Sequence, residues 1–118
     1  MPPDEGQLAL DIFRDEDTLV IRSAVAGVKQ EDLTVAVHGD LLTIRGKREM
    51  HESVNDDDWF CDECYWGAFS RSVVLPVDVY TERADAKLTN GLLEIRIPIR
   101  EALHHLEIRA IEPDDLTT

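Results

Sequence analysis

The chain has 118 residues and carries 12 Lys and Arg against 25 Asp and Glu, a formal net charge of −13. Such a length suits one domain with a single modest core, and such an excess of acid repels phosphate backbones and anionic headgroups, so neither nucleic acid nor a membrane is expected as a partner. No apolar run approaches the roughly 18 residues that span a bilayer, Met1-Pro2-Pro3-Asp4-Glu5 lacks the basic and apolar regions of a signal peptide, and two cysteines are too few to staple a secreted scaffold, so a cytoplasmic location is expected.

Along the chain the dominant period is two. Leu8, Leu10 and Ile12 alternate with Ala9, Asp11 and Phe13; after the turn-like Arg14-Asp15-Glu16-Asp17, Leu19, Ile21, Ser23 and Val25 share a face, which gives two antiparallel strands. Ala26 to Asp32 breaks the pattern. Leu33, Val35 and Val37 then alternate with Thr34, Ala36 and His38, Gly39-Asp40 supplies a tight turn, and Leu41 to Glu49 returns with Leu42 and Ile44 inward. From residue 50 to residue 63 the alternation fails and acids gather, a long exposed loop of the kind that has a job of its own. Strand chemistry resumes from Cys64 to Leu75 and ends at Pro76, which has no N–H for a ladder. Ala86 and Leu88 face inward on a short strand, Asn90-Gly91 supplies the two positive-φ positions of a type I′ turn, and Leu93, Ile95 and Ile97 line the returning strand. About seven strands and no amphipathic helix predict an all-β fold, an immunoglobulin-like β-sandwich of two antiparallel sheets. The domain is placed at residues 8–99, between a short N-terminal segment, 1–7, and a C-terminal extension, 100–118.

Catalytic constellations are not found, and the chain is not expected to be an enzyme or to hold a cofactor. There is no Gly-rich phosphate loop, no His-Glu-x-x-His and no nucleophile elbow, and His38, His51, His104 and His105 lack ligand spacing. Neighbours on a strand point to opposite faces, so His104-His105 is a poor chelate. Cys61-Asp62-Glu63-Cys64 is the one constellation with chemical content. A single CxxC is half a zinc site and would need His51 or a second chain to complete it. As a redox pair it lies before a strand rather than at the start of a helix, and on an extended strand residues three apart are about 10 Å from each other, beyond the ~7 Å limit for a disulfide. An incidental pair, a redox pair and a metal site shared across chains all remain open.

Four segments taken in order carry a family resemblance: Ala26-Gly27-Val28 before an acidic turn, Leu42-Thr43-Ile44-Arg45-Gly46-Lys47-Arg48, Gly67-Ala68-Phe69-Ser70-Arg71-Ser72-Val73-Val74-Leu75-Pro76, and Ala86 through Pro98. The sequence from about Leu8 to Ile99 resembles the α-crystallin domain of small heat shock proteins of the bacterial and archaeal type. Leu106-Glu107-Ile108-Arg109 resembles the C-terminal I-x-I anchor of that family. The resemblance implies an ATP-independent holdase, an oligomer of dimers that keeps unfolding client proteins from aggregating.

A sandwich has open edges, and an apolar edge strand is a template for another strand. Leu33, Val35 and Val37 on one strand, with Ala86 and Leu88 on another, are the expected walls of a groove at such an edge. Leu106 and Ile108 point the same way from an extended tail, and strand addition into the groove of a neighbouring chain is their expected use, with residues 99–105 as the tether. By resemblance to the non-animal branch, residues 50–63 carry a strand that swaps into the partner's sheet to form a dimer. Trp59 and Phe60 would be buried there, and Arg71 of the Phe-x-Arg motif would pair with the acidic loop at the interface.

Two departures from the pattern stand out. The family usually has Pro where this chain has Ala26, and normally carries a long apolar arm where only about seven residues precede the first strand; smaller oligomers and weaker holdase activity follow as expectations. Two other classes fit part of the pattern. One is a CS-type co-chaperone adaptor, which would not need the Leu106-x-Ile108 tail, and the other a thiol- or metal-regulated binding module built on Cys61 and Cys64.

Overall fold

Alternating apolar side chains assemble into two four-stranded sheets in a computed structural model that describes residues 5–100 and 106–113. In chain order the strands are β1 (Glu5–Gln7), β2 (Asp11–Asp15), β3 (Thr18–Ala24), β4 (Leu33–His38), β5 (Leu41–Arg48), β6 (Gly67–Val74), β7 (Asp85–Thr89) and β8 (Leu92–Pro98). Short 3-10 turns at Gln30–Asp32, Asp56–Asp58 and Thr81–Arg83 are the helical elements among the described residues. One sheet has the order β1-β6-β5-β4 and the other β2-β3-β8-β7. The fold is the expected all-β sandwich of antiparallel sheets, with one local exception: β1 runs parallel to β6, Gly6 lying opposite Phe69. The strand expected from Leu8 begins three residues later, at Asp11, and pairs with β3 as expected. The strand β1 is additional to the expected elements: Glu5–Gln7 pairs through its backbone with a distant strand, and no local alternation announces such a pairing.

The inner faces close on one core. Leu19 and Ile21 of β3, Leu42 and Ile44 of β5, Phe69 of β6, and Leu93, Ile95 and Ile97 of β8 are all buried, joined by Val25, Val28 and Leu75 from the connections. Hydrophobic burial at this spacing fixes the register, since a slip of one residue would turn every inward side chain outward. Gly46 lies opposite Phe69 on the neighbouring strand, and a Cβ at Gly46 would sit 2.6 Å from Phe69 Cζ, so the ring occupies the space a side chain would need. Two of the motifs read from the sequence are thus halves of one packing unit.

The turns follow their chemistry. Asn90 (φ 52°) and Gly91 (φ 78°) take the two left-handed positions of the β7–β8 hairpin, and a Cβ on Gly91 would lie 3.1 Å from Ala26 Cα. The first turn is tighter than expected: β2 runs on through Asp15, and only Glu16 and Asp17 separate it from β3, with Glu16 at φ 53°. The strand expected from Cys64 starts instead at Gly67. Gly67 has φ 122°, and the hydroxyl of Tyr65 reaches over it to donate to the carbonyl of Ala68, so the chain bends into the sheet there. Cys64, Tyr65 and Trp66 are therefore loop residues, and the extended-strand geometry considered for the cysteine pair does not apply.

Between β1 and β2 the chain crosses from one sheet to the other. Arg71 Nη1 of β6 donates to the carbonyl of Leu8 at 2.9 Å, and the buried Ser23 Oγ of β3 donates to the carbonyl of Ala9 at 2.8 Å. Each sheet thus holds one peptide group of the crossing segment. Both bonds are part-buried, and losing such a donor costs about 1–3 kcal/mol where the carbonyl left behind stays away from water.

Candidate docking groove

At the opposite side of the sandwich, β4 and β7 are the edge strands of their sheets, and no described strand pairs with their free sides. On β4, Leu33, Val35 and Val37 are half-buried while Thr34, Ala36 and His38 are exposed, so the apolar set faces β7. Two adjoining cavities open between the strands. One, of about 320 Å³, is lined by Val35, Val37, Ala86 and Ile95 together with Thr81, Glu82 and Asp85. The other, of about 350 Å³, is lined by Leu33, Val35, Ala86, Leu88 and Leu93 together with Gln30 and Lys87. Val35 and Ala86 belong to both, which makes them one trough. All five residues proposed from the sequence line it. Ala86 is the reason it is deep enough to take a side chain, because a larger residue there would fill the space that the two cavities share.

The tail is the complementary object. Leu106 is 86% and Ile108 is 96% exposed, and Ile111 beyond them is exposed as well. Burying an aliphatic side chain of this size is worth about 1.5–3 kcal/mol. The tether expected at residues 99–105 is described only as far as Arg100, where Ile99 bridges to Val79 and Arg100 N–H donates to the carbonyl of Asp78; the rest of it, with His104 and His105, lies outside the described residues.

The outward face of the β2-β3-β8-β7 sheet is charged in rows. Arg22 Nε donates to Glu94 Oε2 at 3.0 Å, Arg96 Nε to Glu94 Oε1 at 2.6 Å, and Arg96 Nη1 to Asp15 Oδ2 at 3.3 Å. The hydrogen bond from Arg96, then that from Arg22 and the charges of both, hold the carboxyl of Glu94 below its ordinary value of 4.5, against an opposing effect of desolvation. Arg22 also lies over the Phe13 ring at 5.0 Å, and Val20 is fully buried beneath this polar layer. At the β7 edge Lys87 and Asp85 have a 4.0 Å contact with each other.

The segment between β5 and β6 forms no strand in the single chain. Asp56–Asp58 makes a 3-10 turn, Phe60 is 105% exposed, and Trp59 is 38% exposed. Met50, Trp59, Cys61, Cys64, Tyr65 and Trp66 line a cavity of about 410 Å³ to which neither sheet contributes. Arg48 anchors its root: Nε donates to the carbonyl of Ala26 at 2.6 Å and Nη1 to that of Tyr65 at 3.3 Å. Sequence reasoning missed this arginine, although it lies within a quoted motif, because a strand-end residue gives no signal of what it reaches. Arg71 is turned within the single chain toward Leu8. Cys61 and Cys64 are free and exposed, and among the described residues no three His, Cys, Asp or Glu side chains converge on a possible metal position. His38 and His51 are exposed, and no described helix is long and apolar enough to cross a membrane.

Comparisons with known proteins agree with this fold. A profile of the Hsp20/alpha crystallin family matches residues 11–112. Small heat shock protein C4 of Rickettsia felis is 34% identical over 91 residues, which cover 77% of this chain and 56% of that protein. Among solved structures, heat shock protein 16.0 of Schizosaccharomyces pombe superposes with a TM-score of 0.73 at 28% identity, over 93% of this chain and 78% of that one. The hspA of Xanthomonas axonopodis does so with a TM-score of 0.75 at 28% identity, over 84% of this chain and 99% of that one. The chain spans between 54% and 59% of the length of the first curated relatives it matches. With its eight-stranded sandwich, its edge groove and a match along nearly the whole sequence, the chain belongs to the Hsp20/alpha-crystallin family of small heat shock proteins.

Proposed function

We propose that the protein is an ATP-independent holdase of the cytoplasm that assembles through dimers and through docking of its C-terminal tail. Family membership supports the chaperone role. The observation that carries the rest is the pairing of an open apolar trough at the β4–β7 edge with an exposed Leu106-x-Ile108 segment. A single docked tail gains only a few kcal/mol before the cost of ordering it, so each contact is weak and reversible. Several contacts on one multimer reinforce one another through effective concentration. The assembly then persists while individual grooves open and offer apolar surface to an unfolding client, and no nucleotide is consumed.

In the same reading the segment at residues 50–63 swaps toward a partner to form the dimer. Support comes from the exposure of Phe60 and Trp59, large rings that gain by burial against another chain. Arg71 of that partner contributes to the interface with the acidic arm, in addition to holding its own Leu8 carbonyl.

The test is suppression of aggregation of a thermally unfolding client without ATP, by the protein and by a Leu106→Ser/Ile108→Ser variant, with light scattering to follow assembly. Protection by the parent and a smaller assembly for the variant are expected. Absence of protection from a parent that is monomeric would favour an adaptor to another chaperone.

A further inference from the structure

The trough has two ends and β7 two directions, and the side chains around it distinguish them. We infer that the tail of a second copy adds to β7 as an antiparallel strand, with Leu106 opposite Leu88, Glu107 opposite Lys87, Ile108 opposite Ala86 and Arg109 opposite Asp85. This rests on the docking reading above and gives it a direction and a register.

The argument begins with the ladder that β7 already makes. In the sheet, Lys87 lies opposite Glu94, which lies opposite Arg22, and Asp85 lies opposite Arg96. Charge therefore alternates across the outer face, from Arg22 to Glu94 to Lys87 along one row and from Arg96 to Asp85 along the next. Both rows stop at the free edge. There Lys87 and Asp85 contact each other at 4.0 Å, and both are well exposed. In the inferred register Glu107 continues the first row and Arg109 the second, so each edge charge meets its opposite. Opposite charges facing each other across a ladder favour a pairing, and like charges oppose it.

The inner face agrees. Leu106 enters the end of the trough walled by Leu33, Val35 and Leu88. Ile108 stands over Ala86, the smallest wall residue, in the cavity bounded by Val35, Val37 and Ile95. A large side chain of the tail thus meets a small one of β7.

Competing registers fail on the same residues. A slip of one residue turns Leu106 and Ile108 outward. An antiparallel slip of two in one sense sets Glu107 against Asp85, and in the other sense sets Arg109 against Lys87; both bring like charges together. The best parallel arrangement keeps Glu107 opposite Lys87, but it moves Arg109 opposite Thr89 and places Ile108 against Leu88 instead of Ala86.

The experiment uses the full chain carrying Leu106→Ser and Ile108→Ser, which disables its own tails, titrated at low salt with a fluorescent peptide of residues 104–113. The unmodified peptide is expected to bind. Peptides carrying Glu107→Lys or Arg109→Asp are expected to bind about 2- to 10-fold more weakly. Lys87→Glu in the protein should restore the first peptide and Asp85→Arg the second, whereas Thr89→Arg should not restore the second. Rescue of the Arg109→Asp peptide by Thr89→Arg and not by Asp85→Arg would overturn the antiparallel direction. Binding of all peptides with equal affinity would overturn the register while leaving docking intact. No binding of the unmodified peptide, or undiminished binding of one carrying Leu106→Ser and Ile108→Ser, would overturn the docking reading and this inference with it.

Discussion

The two long edges of the sandwich are finished in opposite ways. Between β1 and β2 the chain itself crosses from sheet to sheet, and Arg71 and Ser23 each hold a carbonyl of the crossing segment. Between β4 and β7 no described segment crosses, and Leu33, Val35, Val37, Ala86 and Leu88 line an open trough. Side-chain donors distinguish the first edge, where the part-buried carbonyls of Leu8 and Ala9 each accept one. Apolar side chains with charges flanking them distinguish the second, where backbone hydrogen bonds are left for an incoming strand to make. In the proposed function one edge stabilises the protomer and the other receives a second protomer. That reading separates stability from assembly in space, and substitutions at the two edges should separate them in experiment.

The largest effect is expected from filling the open edge. Ala86→Trp would occupy the space shared by the two cavities, at a position that is exposed in the protomer. Tail docking should fall by an order of magnitude or more, seen by light scattering as a smaller assembly, while the urea midpoint of the domain stays close to that of the parent. An unchanged assembly would place the docking surface elsewhere. At the closed edge the pattern should invert. Arg71→Met removes the donor to Leu8 and should lower unfolding stability by about 1–3 kcal/mol in urea titrations, with Ser23→Ala costing about 1 kcal/mol by the same mechanism. Binding of the tail peptide to either variant should be unaltered, and a loss of peptide affinity comparable to that of Ala86→Trp would show that the edges are not independent.

The smallest effect concerns the charged layer that the two edges share. Arg96 and Arg22 hold the carboxyl of Glu94 below 4.5. Because the folded carboxyl binds its proton less readily than the unfolded one, its contribution is complete above 4.5 and disappears as pH falls through the lower folded value. Glu94→Gln should therefore make stability less steeply dependent on pH below about 4.5, with little change near neutrality beyond the exposed pairs themselves. Urea midpoints at pH 7 and pH 3 would measure it, and identical slopes for parent and variant would remove Glu94 from the account.

What the sequence reveals and what it hides follow the same division. The hairpins at residues 33–45 and 86–98 are legible because a half-buried sheet imposes a period of two and because Gly39, Asn90 and Gly91 are the residues that left-handed turn positions favour. The five groove residues follow from that period, since alternation alone assigns them to the inner side of edge strands. The closed edge is not legible. Glu5–Gln7 pairs with a strand about sixty residues away, and Arg71 and Ser23 donate to carbonyls across 63 and 14 positions of sequence. Nothing in residue type specifies such a partner. The start of β6 misleads for a third reason: Cys64, Tyr65 and Trp66 are good strand formers by composition, yet the positive φ of Gly67 and the Tyr65 contact with Ala68 govern the backbone there. Lys87 and Asp85 also escape the sequence reading, because their positions opposite Glu94 and Arg96 emerge only once the β7–β8 register is fixed.

The shortness of β7 has a further consequence. An open strand edge invites repeated addition, and a chain that exposes one risks growing a fibre. β7 offers five residues, bounded by the 3-10 turn at Thr81–Arg83 on one side and by the Asn90-Gly91 turn on the other. Two of the five are charges of opposite sign, so a second copy of β7 could satisfy its neighbour in few alignments and with few bonds. Growth by stacking is starved of length, whereas in the proposed docking a tethered segment of matching length saturates the edge in one step. Under that proposal a holdase carries a sticky surface whose length limits its own polymerisation.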